Sequence, residues 1–357
     1  MKNLMCHLGL LLVLLGWPSQ EQALCSSPES GTIIVLNKSE ASASLISLKS
    51  SQIVATVLTG VGPHEVAVSP DGQIAVVANY GAREPDSTLT VIDLIKRKVI
   101  QTIDLEKYQR PHGIVFLKDG KNVLVTAEAQ KALLEVDLEN GKVVKAIDTG
   151  QEVSHMVALL PAGDQAFVAN IRSGSVTVID LQKAEAVAII QTGAGAEGID
   201  ISPDGREVWV SNREDDSISI IDTGSLEVVD KLESKSFPIR VKFTPNGQYA
   251  LVSNARSGDV AVFDVHQRKE VRRIAMPVRA KQGEEDRLFS DRFGDSPVPV
   301  GILIHPNGEQ AYVANTNADI VAVIDLNSWQ ITNSLKAGRE PDGLGFSPVE
   351  LEVQAGK

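Results

Sequence analysis

Titratable side chains recur at one place in a repeated segment of this chain. Each copy of the segment begins at a proline or at a residue that replaces it, and polar groups follow within two positions. The candidate site residues are His64, Glu65, His112, His155, Glu197, Arg240 and Asp342. Imidazoles and carboxylates bind zinc, copper, iron and manganese, and they also act as general acids and bases. A fold that brings these groups together would therefore form a cation site or a polar site for a small ligand.

The repeat has a period of about 42 residues, which is typical of propeller blades. Its copies begin at Pro63, Pro111, Val153, Ala196, Pro238, Pro299 and Pro341. Successive starts are 48, 42, 43, 42, 61 and 42 residues apart. A short apolar strand follows each start, and most copies continue with an Asp-Gly or Asn-Gly turn that tolerates the positive φ of a tight hairpin. A second strand then ends in Asn, with Glu128 in that place in the second copy, and a third strand ends in Asp.

The strand count predicts the fold class. Four strands of alternating hydrophobicity fit each period and leave no room for helices. The copy that begins at Pro341 has only one strand, whereas residues 32–37, 43–47 and 53–57 supply three strands near the N-terminus. We therefore predict an all-β, seven-bladed β-propeller with four antiparallel strands per blade, closed by a composite blade from the N- and C-terminal strands. Pairing of these strands would remove open sheet edges.

The innermost strand of a propeller blade lines the central channel, so residues at its start lie at one mouth. The positions directly after the repeat starts hold His64, His112, Ser154, Glu197, Ile239, Val300 and Asp342, with Glu65, His155 and Arg240 one position further on. We predict that the titratable members form a ligand-binding cluster at this mouth. The alternative is that they only solvate a wet opening. The Asn and Asp residues that end strands recur in nearly every copy, which favours turn capping over catalysis.

The spacing of 61 residues indicates an insert loop at residues 277–298. A connection between blades lies on the side of the mouth, and a loop this long in a compact fold is usually functional or disordered. We predict that its apolar side chains hold the loop over the channel while two arginines meet an anionic ligand or the acidic mouth. These residues are Leu288, Phe289 and Phe293, and Arg287 and Arg292. The alternative is that the loop only packs on the next blade.

Composition limits the partners. The 357-residue chain has a formal net charge of −12 and no Lys/Arg stripe, which excludes nucleic acid as a partner. Its two cysteines are Cys6 and Cys25, so the mature chain has no internal disulfide and no cysteine metal cage. We expect a monomer that binds a small molecule or a protein partner at the mouth. The sequence identifies neither a cofactor nor a metal.

The first 23 residues predict a secretory signal. The apolar run from Leu8 to Trp17 is too short to span a bilayer comfortably. The predicted order is a signal peptide at 1–23, a short linker at 24–30, the propeller at 31–348 and a C-terminal tail at 349–357. We expect a periplasmic or secreted protein with no transmembrane domain after signal removal. Lipoprotein anchoring through Cys25 is the alternative, although Gln22-Ala23-Leu24 is a poor lipobox.

The second strands resemble those of the YVTN-repeat β-propellers. The matching segments are Phe167-Val168-Ala169-Asn170, Trp209-Val210-Ser211-Asn212 and Tyr312-Val313-Ala314-Asn315, and the family's turn is matched by Ser69-Pro70-Asp71-Gly72 and Ser202-Pro203-Asp204-Gly205. The resemblance covers essentially everything after the predicted signal, and it implies an exported bacterial or archaeal propeller. Related propellers are subunits of quinoprotein amine dehydrogenases, haem-binding domains or lactonases, so the resemblance implies no single activity.

The sequence contains no nucleophile elbow, phosphate-binding glycine loop or HExxH motif. The leading hypothesis is therefore an exported, non-catalytic propeller that binds a small ligand, a cofactor or a protein partner at the channel mouth. The alternative is a periplasmic enzyme or enzyme subunit, either a lactone hydrolase or an oxidoreductase-associated propeller. That enzyme would use His64, His112, Glu197 and Asp342 with a metal.

Overall fold

The computed structural model describes residues 30–278, 287–289 and 292–353. Within these residues, 28 strands form seven four-stranded antiparallel sheets. The predicted signal, Cys25 and nearly all of the predicted linker lie outside the described residues, as do residues 279–286 and 290–291 of the insert and the tail from residue 354. Among the described residues, no helix has the length and apolar character needed to cross a membrane.

Six blades are each built from four consecutive strands. Blade 1 contains β4 (Pro63–Val68), β5 (Ile74–Gly81), β6 (Pro85–Asp93) and β7 (Lys98–Asp104). Blade 2 contains β8 (Pro111–Phe116), β9 (Asn122–Ala127), β10 (Ala132–Asp137) and β11 (Lys142–Asp148). Blade 3 contains β12 (Ser154–Leu159), β13 (Gln165–Asn170), β14 (Ser175–Asp180) and β15 (Glu185–Gln191).

The other three consecutive blades repeat this order. Blade 4 contains β16 (Ala196–Ile201), β17 (Glu207–Asn212), β18 (Ser217–Asp222) and β19 (Glu227–Glu233). Blade 5 contains β20 (Pro238–Phe243), β21 (Tyr249–Asn254), β22 (Asp259–Asp264) and β23 (Lys269–Ala275). Blade 6 contains β24 (Pro299–Ile304), β25 (Gln310–Asn315), β26 (Ile320–Asp325) and β27 (Gln330–Lys336). Single turns of 3-10 helix at Lys38–Glu40 and Glu128–Gln130 are the only helices in the described part of the chain.

Blade 7 is composite, as the strand count predicted. Its order is β28 (Pro341–Ser347), β1 (Thr32–Asn37), β2 (Ser42–Ser47) and β3 (Gln52–Leu58). Thr32 pairs with Ser347 across the junction of the two chain segments. Thr32 Oγ1 also donates a hydrogen bond to the carbonyl oxygen of Val349 at 2.8 Å, and Leu351 is buried. The all-β, seven-bladed propeller is thereby confirmed, and residues just beyond β28 add to its closure.

The first strands of the blades form the wall of the channel. They contact one another in the order β4, β8, β12, β16, β20, β24 and β28, and β28 contacts β4. A Cβ atom on Gly343 would lie 2.3 Å from the carbonyl oxygen of His64, and one on Gly113 would lie 2.6 Å from that of His155. Only glycine fits such a close approach of two backbones. The residues at the start of these strands are therefore held close to one another.

Packing between neighbouring sheets fixes the strands that carry the site. The second strands β9 and β13 are buried along nearly their whole length, whereas an outer strand such as β11 is mostly exposed. Trp209 of blade 4, for example, packs against Phe243 and Phe263 of blade 5, with ring centroids 5.4 and 6.2 Å apart. The core is thus spread over all the blade interfaces.

The recurrent strand-end aspartates cap turns, as predicted. Asp325 Oδ1 accepts hydrogen bonds from the backbone N–H groups of Asn327 and Ser328 at 3.2 and 2.7 Å. Asp222 accepts the equivalent bonds from Gly224 and Ser225. These side chains lie away from the channel, and their role is architectural.

Candidate functional site

The second residue of each first strand occupies one mouth of the channel. The residues at this position are His64, His112, His155, Glu197, Ile239, Val300 and Asp342. Six of them line a single cavity, and His112 is buried between the rings of His64 and His155. The structure therefore brings together the sequence-predicted histidines and the carboxylates of Glu197 and Asp342.

The third repeat is displaced by one residue from its predicted alignment. Ser154 pairs with Asn170, just as Pro63 pairs with Asn79, so Ser154 and not Val153 begins the strand. Its hydroxyl contacts Thr149 and Asn170 within the blade and does not line the mouth. The residue before each first strand has a positive φ in every blade, which identifies the equivalent positions independently of side chain. These residues are Gly62, Arg110, Val153, Gly195, Phe237, Val298 and Glu340.

A second set of residues at the mouth was not predicted. These residues directly follow the Asn position at the end of the second strand, and those that line the cavity are Lys38, Tyr80, Glu128, Ile171 and Arg213. Glu128 does not replace the strand-end Asn, because Ala127 takes that place by pairing with Pro111. The sequence indicates this set only because several copies have a large polar residue at a position where other copies have a small or apolar one, such as Ala255.

Three imidazoles are stacked at the centre of the site. The ring centroids of His64 and His112 are 4.0 Å apart, and those of His112 and His155 are 3.5 Å apart. The ring of Tyr80 meets His64 and His112 edge-on at 5.4 and 5.7 Å. Because the rings are contributed by blades 1, 2 and 3, three neighbouring first strands determine the stack.

The two outer histidines have charged neighbours. Lys38 Nζ lies 2.6 Å from His64 Nε2, and Asp342 Oδ2 lies 3.1 Å from His64 Nδ1 without making a hydrogen bond to it. Nδ1 of His155 contacts a carboxylate oxygen of Glu128, and its Nε2 lies 3.4 Å from Glu197 Oε1. Neither ring nitrogen of His112 has a hydrogen-bond partner among the described residues.

These surroundings separate the pKa values of the three imidazoles. Burial lowers the pKa of His64 and of His112 well below the ordinary value, and the neighbouring cations lower it further. Burial also acts to lower the pKa of His155, but the carboxylates of Glu128 and Glu197 outweigh it and raise that pKa. At neutral pH the stack therefore holds two neutral rings beside one that readily carries a proton.

Arg240 crosses the channel beneath the stack. Its guanidinium lies 2.7 Å from Glu65 Oε1 of blade 1 and 3.3 Å from Glu197 Oε1 of blade 4. Burial alone would raise the pKa of Glu197, but Arg213, His155 and Arg240 together lower it well below its usual range. Arg240 lines both the mouth cavity and a second cavity of about 290 Å³ that also contains Glu65. The buried ion pairs thus divide the channel into two compartments.

The mouth cavity has two unlike walls and a volume of about 580 Å³. Charged and imidazole side chains form one wall, and Phe237, Ile239 and Val300 belong to the other. Leu288 and Phe289 of the insert also line the cavity, and Phe293 is buried with its ring 5.0 Å from that of Phe237. The described part of the insert therefore packs on blades 5 and 6 and extends the apolar wall.

The two arginines of the insert differ in position. The guanidinium of Arg292 lies 5.0 Å from the ring centroid of Phe237 and lines the cavity. Arg287 is buried instead, where its guanidinium forms an ion pair with Asp319 at 2.7 Å and donates to the carbonyl oxygen of Thr316. The structure thus brings Arg292 to the mouth and places Arg287 against blade 6.

Two sets of side chains bring metal-ligating atoms within 4.8 Å of one another in the described residues. One contains His64, Glu65 and His112, and the other contains His112, Glu128 and His155. Nitrogen and carboxylate donors of this kind suit divalent transition metals. A wider groove of about 850 Å³ lies at the opposite ends of blades 4 and 5, among turn residues such as Asp204 and Gln267, and has no such cluster.

The fold and the axial site define a seven-bladed β-propeller with a polar channel mouth. A family model described as YNCE-like beta-propeller matches residues 161–283. No curated protein matches the chain. The match runs from just before β13, the second strand of blade 3, to beyond β23, the last strand of blade 5. It therefore supports the propeller class, whereas the likeness to the YVTN-repeat family remains a resemblance.

Solved structures show the same fold. A chain of hydrazine synthase from Kuenenia stuttgartiensis superposes with a TM-score of 0.67 at 20% identity, covering 79% of this chain and 88% of that one. A protein of unknown function from Desulfotomaculum acetoxidans DSM 771 superposes with a TM-score of 0.72 at 14% identity, covering 89% and 99%. Similarity at these identities concerns the fold alone.

Proposed function

We propose that this propeller is a binding protein for a small organic anion that carries an apolar portion. The observation that supports the proposal is the mouth cavity, in which a charged wall faces an apolar one. Its volume of about 580 Å³ lies within the range of small-molecule sites, roughly 300–1,000 Å³. The apolar portion would contact Phe237, Phe289 and Ile239, and the anionic group would meet the arginines.

The charges of the cavity differ from those of the chain as a whole. Five cationic and four anionic side chains line it, in a protein with a formal net charge of −12. Most of these charges are already paired, as Arg240 is with Glu65 and Glu197. Arg292 forms no ion pair within the described residues and rests on the ring of Phe237. Its guanidinium therefore remains available for a carboxylate or phosphate.

Isothermal titration calorimetry of the purified protein with a panel of aliphatic and aromatic carboxylates tests this function. We expect at least one of them to bind at micromolar concentration, and Arg292→Gln to weaken it about tenfold, equivalent to about 1.4 kcal/mol. The matched control is Arg206→Gln, because the Arg206 side chain is 83% exposed and lies at the other end of blade 4. The proposal fails if no carboxylate binds or if both variants weaken binding equally.

We also propose that the protein works outside the cytoplasm. Support comes from the apolar run between Leu8 and Trp17, followed by Pro18. Cell fractionation of the full chain and of a chain lacking residues 1–23 tests this. The full chain should be found outside the cytoplasm, and the shortened chain should remain inside.

A further inference from the structure

We infer that His112, His155 and Glu128 bind one divalent transition-metal ion of the zinc class at the base of the mouth cavity. One ligand atom from each of these three side chains lies within 4.8 Å of the others. His112 and Glu128 belong to blade 2, and His155 belongs to the neighbouring blade 3. Neighbouring strands of a closed ring hold such ligands in a fixed arrangement.

His112 is the residue that most clearly needs a partner. It is completely buried, and neither of its ring nitrogens has a hydrogen-bond partner among the described residues. Buried polar atoms in folded proteins are nearly always paired, and one without a partner calls for an explanation. A metal ion would supply that partner, because a neutral imidazole nitrogen offers its lone pair to a cation.

The other candidate set is already engaged. Lys38 Nζ lies 2.6 Å from His64 Nε2 and donates to it, and Asp342 is near the second nitrogen of His64. Glu65 is held by Arg240 at 2.7 Å. An ion at this set would have to displace two cationic partners. Among the described residues, no lysine or arginine makes a contact of this kind with His112, His155 or Glu128, so this set is the better site.

Glu128 and His155 have the outer contacts expected of metal ligands. The Tyr80 hydroxyl donates to Glu128 Oε2 at 2.6 Å, which leaves Oε1 directed to His155. Glu197 lies 3.4 Å from His155 Nε2. Outer contacts of this kind orient ligands and increase their basicity. Binding of the ion would replace the contact between Glu128 and His155, because both groups must be deprotonated to coordinate, and any proton between them would go to solvent.

Two imidazoles and one carboxylate form a donor set that suits Zn²⁺ and its neighbours Co²⁺, Ni²⁺ and Cu²⁺. Glu128 and His155 also line the mouth cavity, so the remaining coordination positions would face it. The inference does not depend on the proposed anion binding, because Arg292 belongs to the insert and the apolar wall to the insert and to blades 5 and 6.

Calorimetric titration of the untagged, EDTA-treated full chain with Zn²⁺ alone tests the inference. We expect one ion per chain, and affinity reduced at least tenfold by His112→Asn and by Glu128→Gln. The matched control is His305→Asn, which alters another buried histidine whose ring packs on Phe346, 4.7 Å away. This control should bind Zn²⁺ as the wild type does. The inference is wrong if folded wild-type protein takes up no Zn²⁺, or if the three variants bind equally.

A second measurement keeps the inference testable if a variant fails to fold. Cu²⁺ bound to the wild-type chain should give an electron paramagnetic resonance spectrum with couplings to two imidazole nitrogens. His155→Asn should reduce these to one, provided that its circular dichroism matches that of the wild type. A wild-type spectrum without nitrogen couplings would show that Cu²⁺ binds elsewhere, and it would overturn the assignment.

Discussion

At the scale of single residues, the charges of the channel depend on Arg240. Its side chain is 4% exposed, and it bridges Glu65 of blade 1 and Glu197 of blade 4. Coulombic attraction to the two glutamates outweighs burial and raises the pKa of Arg240 above its ordinary value. The guanidinium therefore stays charged and compensates Glu65, which forms no other ion pair among the described residues, and it shares Glu197 with Arg213.

Replacement of Arg240 by Met should destabilise the fold by about 3–5 kcal/mol, because the buried carboxylates of Glu65 and Glu197 lose their shared partner. Urea unfolding followed by circular dichroism measures the loss. Adding Glu65→Gln to the variant should restore part of the stability, since Glu65 is the carboxylate left without a cation, whereas Glu197 keeps its ion pair with Arg213.

The control for this prediction is Arg206→Met at an exposed position, which should change the free energy of unfolding by less than about 0.5 kcal/mol. A similarly small loss for Arg240→Met would mean that water reaches the glutamates and that the ion pairs contribute little.

Sequence reasoning identified part of this site. The alignment of the repeat starts predicted His64, His112, Glu197 and Asp342 at the mouth, because their repeats start with a clear Pro or Ala. His155 was one position off, since blade 3 has no proline to mark its start. Tyr80 was missed because it follows Asn79 at the end of β5, where only the three-dimensional path of the chain determines which side chains face the axis.

Arg287 shows a different limit. The sequence predicted that it meets a ligand or the acidic mouth, but the structure directs it to Asp319. The two residues belong to the insert and to the turn before β26. Nothing in the spacing of the repeat predicts which carboxylate of a neighbouring turn an arginine of the insert will reach.

At the scale of elements, the first strands are packed so tightly that their separation depends on a glycine, which has no side chain. Gly343 of β28 lies against the backbone of β4, where a Cβ would come within 2.3 Å of the carbonyl oxygen of His64. His64 belongs to this contact, and Asp342 directly precedes Gly343. A shift of β28 would therefore move two residues of the mouth along with it.

Gly343→Ala should lower the free energy of unfolding by about 1–3 kcal/mol, because the added methyl group forces β4 and β28 apart. Thermal unfolding measures this. The matched control is Gly224→Ala, at an exposed turn where the nearest atom lies 3.4 Å from the added Cβ. The control should lie within about 0.5 kcal/mol of the wild type. Equal effects of the two substitutions would show that the strand contact is loose.

The strands themselves were predictable, and the loops less so. Alternating apolar residues between Asp-Gly turns indicate β16 and β17 without any tertiary information. The insert was predicted only as a loop near the mouth. Phe293 packs on Phe237, a residue far away in the sequence. Sequence alone therefore could not decide whether the insert lies over the channel or only packs on the next blade.

At the scale of the whole molecule, part of the loss of stability in acid should come from the turn aspartates. Hydrogen bonds from the capped turns lower the pKa of Asp137, Asp222 and Asp325 below the ordinary value. The unfolded chain then binds more protons than the folded chain as the pH falls below about 4. These residues therefore contribute stability that is present above this pH and is lost on acidification.

The triple variant Asp137→Asn, Asp222→Asn and Asp325→Asn should show a flatter dependence of stability on pH. Asn keeps a turn acceptor but does not titrate, so the variant should be less stable than the wild type at pH 7 and approach it near pH 2. Urea midpoints measured across this range test the prediction.

The control for the turn aspartates replaces Glu139, Glu185 and Glu227 with Gln. These exposed residues accept no hydrogen bond within the described part of the chain. The control has the same change in net charge, and it should keep the slope of the wild type. If both triple variants flatten the dependence equally, net charge and not turn capping determines the acid response.

The ring as a whole was the most predictable feature. A period near 42 residues with four strands per copy allows few other architectures, and the single strand after Pro341 required partners from near the N-terminus. The chemistry was less predictable, because it arises where neighbouring blades meet and no one copy contains it.

The composite blade has a consequence for biosynthesis. While the ribosome is still making the chain, β1, β2 and β3 are complete, but β1 has no neighbour on one side until β28 has emerged. The circle cannot shut before that moment, and the imidazole stack cannot gain its contact with Asp342. The nascent polypeptide therefore remains incompletely folded until the strand at Pro341–Ser347 is released.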